Sequence, residues 1–256
     1  MKLFYFIFSI FIFAILTACQ FSENTTANKI QSHLDPSIMN GREVTKTDIF
    51  AKHVVGIFKK GETKCTGVLI AKNAVLTAAH CLPDISKASI SFGLNKKSLQ
   101  HLPITGHLQH PEYDESIVGI VEDPANDVMV VTFRGDLPAG FEPAEISDQD
   151  LVQKGSVVLI AGYGRDEDDQ YDYLKATEVS VVEAVNFEFR TEEKKSGSCD
   201  GDSGGPVFMK NSENKYLLVG SVSRGDPSCF QYGIYENTTY YKNWIKESVR
   251  QITDKN

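Results

Sequence analysis

The stretch SCDGDSGGPVF, residues 198–208, sets Ser203 between two acids, Asp200 and Asp202, and three glycines, Gly201, Gly204 and Gly205. A serine hydroxyl is a weak nucleophile near neutral pH. It needs a base to take its proton and a third group to orient that base. The six histidines of the chain are His33, His53, His80, His101, His107 and His110, and every one precedes Ser203. Their order decides between architectures. Gly201-Asp202-Ser203-Gly204-Gly205 also fits the G-x-S-x-G elbow of an α/β sheet, but in that fold the histidine follows the serine. None follows here, so the base comes from upstream. The scarcity of helical periodicity argues against a lipase or esterase of that type as well.

Outward from the serine the chain is rich in short β-prone runs. HVVGIF from 53, TGVLIA from 66, ASISF from 88, DVMVVTF from 127, SVVLIAG from 156, TEVSVVE from 177 and YLLVGSVS from 216 are separated by Gly, Pro, Asn and Asp clusters. That spacing predicts an antiparallel barrel or sandwich. A polar stretch, Gly135 to Gly155, is placed to join two halves. Only the end reads as helix: Tyr241, Trp244, Ile245, Ser248, Val249 and Ile252 share one face at three-and-four spacing. The chain has 256 residues, 41% of them hydrophobic and 23% charged, enough to bury one large core or two small ones. A net charge of −8 without a basic cluster excludes a nucleic-acid partner. The acidic run Asp166 to Asp169 reads as a solvated loop.

The N-terminus differs from the rest. Lys2, an apolar run from Leu3 to Leu16, then Thr17, Ala18 and Cys19 read as an export signal, too short to span a membrane. LTAC resembles the lipobox of bacterial lipoproteins, which implies a signal over residues 1–18 and a lipid on Cys19. An ordinary signal with a chance cysteine is the alternative. Gln20, where some lipoproteins carry the Asp that retains them at the inner membrane, points to the outer membrane or cell surface. Residues 19–37 are polar, end at Pro36-Ser37, and read as a tether or propeptide. With Cys19 acylated, four of five cysteines remain: Cys65, Cys81, Cys199 and Cys229. Three pairings are open, and an oxidising compartment predicts two disulfides.

His80 lies in AVLTAAHC (74–81), where a β-rich run reaches small residues. Asp127 opens the strand NDVMVVTF (126–133), where an unpaired acid is costly to bury. The other histidines are explained as surface residues or tether. Taken singly, His80 is a structural histidine and Asp127 a strand-end cap. Together, at TAAHC, NDVMVV and GDSGGP in the order His, Asp, Ser, the chain resembles the chymotrypsin-like, or trypsin-family, serine endopeptidases. AGYG (161–164), VSRG (222–225) and NWIK (243–246) extend the likeness, which covers Ile38 to the end.

The resemblance implies an all-β protein of two six-stranded antiparallel barrels with a C-terminal helix, over residues 38–256. Ser203 is the implied nucleophile, His80 the base and Asp127 its orienter, with the Gly201 and Ser203 N–H groups as oxyanion hole. It pairs Cys65 with Cys81 and Cys199 with Cys229. It makes Ile38 the N-terminus of a mature form, freed by cleavage after Ser37, whose ammonium pairs with Asp202. Ser37 is neither Lys nor Arg, so an activating protease is a possible partner, and cutting there releases the enzyme from a lipid on Cys19. The substrate pocket takes Gly197 as its base, Gly225 and Gly233 as walls and Ser223 as a backbone-pairing residue. With Gly197 in place of an acid, the pocket is expected to take a large apolar side chain, although Asp200 and Asp226 lie near its mouth and Arg224 replaces an aromatic. The expected partners are a protein or peptide substrate, the membrane only through the lipid, and no second subunit: a monomer. No cofactor is expected, and with no HExxH or cysteine-histidine cluster no metal is expected. A silent, protease-like binding protein is the alternative function.

Overall fold

The computed structural model describes residues 38–256 apart from 61, 82–86, 118, 120–122, 167 and 254–256. The signal, Cys19, His33 and the segment 19–37 lie outside these residues. Thirteen strands occur among them: β1 Arg42–Glu43, β2 Val54–Lys59, β3 Glu62–Ala71, β4 Ala74–Thr77, β5 Ala88–Phe92, β6 Gln100–Gln109, β7 Met129–Phe133, β8 Val157–Gly162, β9 Lys175–Ala184, β10 Glu188–Glu192, β11 Pro206–Lys210, β12 Tyr216–Gly225 and β13 Tyr232–Asn237.

Strands β2-β3-β4-β7-β6-β5 pair antiparallel in that order, and β5 returns to β2 through Gly56 opposite Ser91. Strands β8-β9-β10-β13-β12-β11 close the same way, β11 returning to β8 through Val207 opposite Ile160. Two closed six-stranded barrels result, and β1 adds to the outside of the second at β9. Closure leaves no free edge in either barrel, so backbone N–H and C=O groups are satisfied without covering helices.

Each barrel is filled from its own strands. Val55, Ile57, Leu69, Val75, Ile90, Met129 and Val131 pack inside the first, and Val158, Ile160, Val181, Val207, Val219 and Tyr235 inside the second. A third cluster joins the barrels: Val54, Val68, Leu76 and Val130 from one meet Leu159, Ala161, Phe208 and Leu218 from the other. The helix α1, Lys242–Thr253, docks on this seam through buried Ile245 and Ser248, with Trp244, Val249 and Ile252 half-buried beside them. Burying one such aliphatic side chain contributes about 1.5–3 kcal/mol, so a charge at Ile245 would undock the helix. No helix among the described residues is long and apolar enough to cross a membrane.

All seven β-prone runs are strands, but six strands, β1, β4, β6, β10, β11 and β13, lie outside them. β6 was hidden because its residues only alternate between exposed and half-buried. β10 and β13 were hidden because they bury Glu188 and Glu236, polar residues whose partners are Arg224 on β12 and the Ala125 and Asp127 N–H groups ahead of β7. The run Asp166 to Asp169 is not uniformly solvated: Asp166 is buried and its carboxylate accepts the N–H groups of Asp168 and Gln170.

Candidate active site

Asp127 stands two residues ahead of β7, not within it. Its turn is held by Asn126, whose side chain donates to the carbonyls of Glu112 (3.0 Å) and Pro124 (3.1 Å), and by its own N–H, which donates to Glu236 Oε1 at 3.0 Å. Asp127 is buried, and its carboxylate meets three donors: the His80 backbone N–H at 3.0 Å, His80 Nδ1 at 2.8 Å and the Ser223 hydroxyl at 2.7 Å. Burial is the largest influence on this carboxyl and pushes its pKa up. The hydrogen bonds and charge of His80 and the Ser223 bond outweigh it and hold the group below its ordinary value. A carboxylate only accepts, so His80 Nδ1 carries the proton and Nε2 is left as acceptor. For His80, burial works against the charged ring, and the Asp127 bond and charge overcome it and raise the pKa.

Ser203 lines the same cleft as His80 and Asp127, a cavity of about 430 Å³ shared with Tyr113, Ser223 and Arg224. Among the described residues Ser203 Oγ makes no hydrogen bond to His80; such bonds tighten when substrate is seated. The loop before it is a tight turn closed by Asp202 N–H donating to Cys199 O at 3.0 Å, with Gly201 at φ +93°, a left-handed value that glycine adopts without strain. Among the described residues neither the Gly201 nor the Ser203 N–H is taken by a protein acceptor. Thr66 on β3 fixes the loop's orientation: its hydroxyl accepts from Tyr163 N at 3.0 Å and donates to Gly201 O at 2.9 Å. A Cβ at Gly204, φ +79°, would run into Thr77 Oγ1 and lie 2.6 Å from the Ala78 nitrogen.

Asp202 is fully buried between Gly164 N (2.7 Å) and Cys199 N (3.0 Å), and side chains at Gly162 or Gly164 would strike its carboxylate. Burial, aided by the charges of Glu193 and Asp200, pushes its pKa up to about 8. No cation pairs with it among the described residues. Ile38 is also fully buried, packed in the second-barrel core, yet held at φ +55°, a strained value for a β-branched residue. The segment after it is clamped to the serine side of the cleft: Gly197 N donates to Met39 O at 3.1 Å and Asn40 Nδ2 to Lys195 O at 2.9 Å. The disulfides are Cys65–Cys81, tying β3 to the His80 turn, and Cys199–Cys229.

Beside Ser203 a narrower cavity of about 110 Å³ runs between Ser198, Val222, Gly225 and the Cys199–Cys229 bridge, with Asp200 and Asp226 also on its lining. An acid lies close to the position expected as the pocket base. Gly197 leaves a space that the Glu193 carboxylate occupies: a Cβ added there would collide with Glu193 Oε2 and fall 2.5 Å from Glu193 Cβ. Gly233 is likewise not an open wall, because a Cβ there would collide with Glu193 Oε1. Glu193 is 1% exposed. It accepts from Ser198 N (2.9 Å), Ser198 Oγ (3.3 Å), Thr191 Oγ1 (2.7 Å) and the Tyr235 hydroxyl. Burial pushes its pKa up against those four bonds.

The fold and these groups agree with what the comparisons return. The family model described as Trypsin matches residues 38–245. The chain belongs to the trypsin family. Human Kallikrein-8 is 28% identical over 219 residues, covering 75% of this chain and 80% of that protein. Renal glandular kallikrein of Mastomys natalensis is 30% identical over 232 residues, 75% and 83%. Melanization protease 1 of Drosophila melanogaster is 26% identical over 267 residues, covering 83% of this chain and 66% of that protein. Among solved structures, the mouse-brain serine protease neuropsin superimposes with a TM-score of 0.68 at 23% identity, over 83% of this chain and all of that one, a likeness of fold. As a member of the trypsin family the chain is a serine-type endopeptidase.

Several residues around this trypsin-family cleft were not legible in the sequence. Arg224 turns back to bond Glu188 through both terminal nitrogens, at 3.0 and 2.9 Å, and lies 4.0 Å from Glu236. Glu188 and Glu236 are fully buried. Burial and the neighbouring Glu188 push Glu236 up toward its neutral form. The pair backs Asp127, since Glu236 accepts its N–H and Glu188 accepts that of Ala125 (3.4 Å). His53, read as a surface residue, is buried with Nδ1 2.8 Å from Glu142 O. His110 is half-buried against Trp244, ring centroids 4.9 Å apart. Neither belongs to the cleft. Spacing gives no signal for Thr66, Glu188 or Glu236, since each meets its partners only through the fold, nor for Glu193, whose near neighbours Thr191 and Ser198 say nothing of Tyr235 and Gly233 on the adjoining strand.

Proposed function

We propose that this chain is an exported serine endopeptidase that cleaves peptide bonds through Ser203, His80 and Asp127 by way of an acyl-enzyme. Ser203 Oγ attacks the scissile carbonyl and its proton passes to His80 Nε2. Asp127, ionised and bonded to Nδ1, stabilises the imidazolium and keeps the ring in place. The oxygen that becomes anionic is received by the Gly201 and Ser203 N–H groups, donors whose individual loss costs about 2.7–4 kcal/mol of barrier. His80 then gives its proton to the leaving amine. Water, deprotonated by the same nitrogen, releases the acyl group. The observation that carries this reading is the His80–Asp127 double contact, side chain at 2.8 Å and backbone at 3.0 Å, opening on the cleft that Ser203 lines.

The active form begins at Ile38. Cutting after Ser37 frees an ammonium to pair with the buried Asp202 carboxyl and removes the peptide bond before Ile38, a residue at a strained φ. Another protease makes the cut. Cys19 carries lipid that holds the uncut chain at an outer membrane or cell surface, and activation releases the enzyme. The test is fluorophosphonate labelling of protein of known N-terminus, with the labelled peptide found by mass spectrometry. Labelling at Ser203 in the Ile38 form alone is the expected result. A confirmed Ile38 terminus without labelling would turn the reading toward a silent binding protein.

A further inference from the structure

We infer that Glu193 is the acidic base of the substrate pocket and makes this enzyme cleave after lysine or arginine. The inference rests on the peptidase reading above and names its substrate class. Ser198 lines the cavity beside Ser203, and its N–H and hydroxyl both bond the Glu193 carboxylate, which fills the space that Gly197 alone implies to be empty. Two glycines, Gly197 and Gly233, leave the room this carboxylate fills.

Its partners explain why it is poised for a cation. All four donors to Glu193 are neutral: one amide and three hydroxyls. Among the described residues no lysine, arginine or histidine pairs with it. Four donors orient a carboxylate but leave its charge uncompensated in a buried site, where a counter-charge is worth most. A side chain entering this pocket meets Ser198 on its lining, and about 110 Å³, the volume of roughly four waters, suits an unbranched chain better than a broad ring.

The remaining charges on the lining agree. Asp226 is held ionised chiefly by the Ser228 hydroxyl bond, and Asp200 lies at the same mouth. Arg224, the cation on the wall, is taken up by Glu188. A pocket selecting basic residues also does not accept Ser37, which fits activation by a second protease.

The test uses the Ile38 form and peptides that differ only in the residue before the cut bond: Arg, Lys, Phe or Leu. The expected wild-type ratio of kcat/KM favours Arg and Lys over Leu and Phe. Glu193→Gln, which keeps the shape but not the charge, is expected to lower that ratio roughly 10- to 100-fold. A wild type that prefers Leu or Phe overturns the inference, as does a ratio unmoved by Glu193→Gln. If Ser203 fails to label, the peptidase reading falls, and benzamidine, an aryl cation, decides the pocket alone: thermal stabilisation of wild type that Glu193→Gln loses supports it, and no stabilisation of wild type overturns it. Should the variant fail to fold, the wild-type ratio and benzamidine competition decide.

Discussion

Replacing Asp202 by Asn should change the stability of the uncut chain in a direction that depends on pH, and of the Ile38 form in the opposite direction. In the uncut chain the carboxyl is wholly buried, meets two backbone N–H groups and has a pKa pushed up to about 8 from 3.8. A folded value above the unfolded one means that its contribution is fully present below about pH 3.8 and is lost as pH rises through 8. At 1.36 kcal/mol per unit, the loss is roughly 4 kcal/mol at pH 7 and roughly 5 at pH 8. Asn does not titrate, but its amide group faces one of the two N–H donors, which costs about 1–3 kcal/mol. The uncut variant should therefore be more stable than its parent by about 2–4 kcal/mol at pH 8 and less stable by about 1–3 at pH 4. In a chain beginning at Ile38 the ammonium is proposed to compensate the carboxylate, and on that proposal the same substitution should destabilise by about 3–5 kcal/mol at pH 8. Urea unfolding at both pH values, with Ser203→Ala in every chain to prevent self-cleavage, measures all four differences. Equal shifts at pH 4 and pH 8, or shifts of the same sign in cut and uncut chains at pH 8, would refute the reasoning.

Three further outcomes follow from the site. Because Asp127 raises the His80 pKa against burial, and the neutral ring is the base, kcat/KM should climb with pH through an inflection above 6.5; Asp127→Asn should move it below 6.5 and lower the plateau about 10⁴-fold, read from a pH–rate profile. Arg224→Ala strands the fully buried Glu188 carboxylate and should destabilise the protein by about 3–5 kcal/mol in urea, whereas a loss under 1 kcal/mol would mean that the pair is not a counter-charge. Thr66→Val removes the hydroxyl between Tyr163 N and Gly201 O, so kcat should fall about 10- to 100-fold with KM little changed, and steady-state kinetics in which only KM moved would separate Thr66 from the oxyanion loop.

Much of the site was legible because it is written as contiguous motifs. His80, Asp127 and Ser203 each sit in a short segment with its own turn chemistry, and the order of histidine before serine excluded the rival fold without any coordinates. The helix face from Tyr241 to Ile252 was equally plain, since a 3.6-residue period shows in a linear string. Pocket chemistry was not. A glycine at 197 says that a side chain is missing there, and nothing local says that residue 193 folds beneath it. Arg224 read as the loss of an aromatic, and only the neighbouring strands β10 and β13 reveal two buried acids that hold it.

The sequence alone determined the strand-rich class, the candidate nucleophile, base and orienter, and the cysteines available for disulfides, because these depend on residue type, order and short-range spacing. The tertiary structure decided which groups act on one another across the closed barrels: Thr66 on Gly201, Glu236 on Asp127, and Glu193 in the space left by Gly197 and Gly233. Barrel closure brings Thr66 to Gly201, Glu236 to Asp127 and Gly233 to Glu193 across separations of 135, 109 and 40 positions. Their charges and hydrogen bonds are then set by burial and distance, quantities that a linear order of residues does not contain.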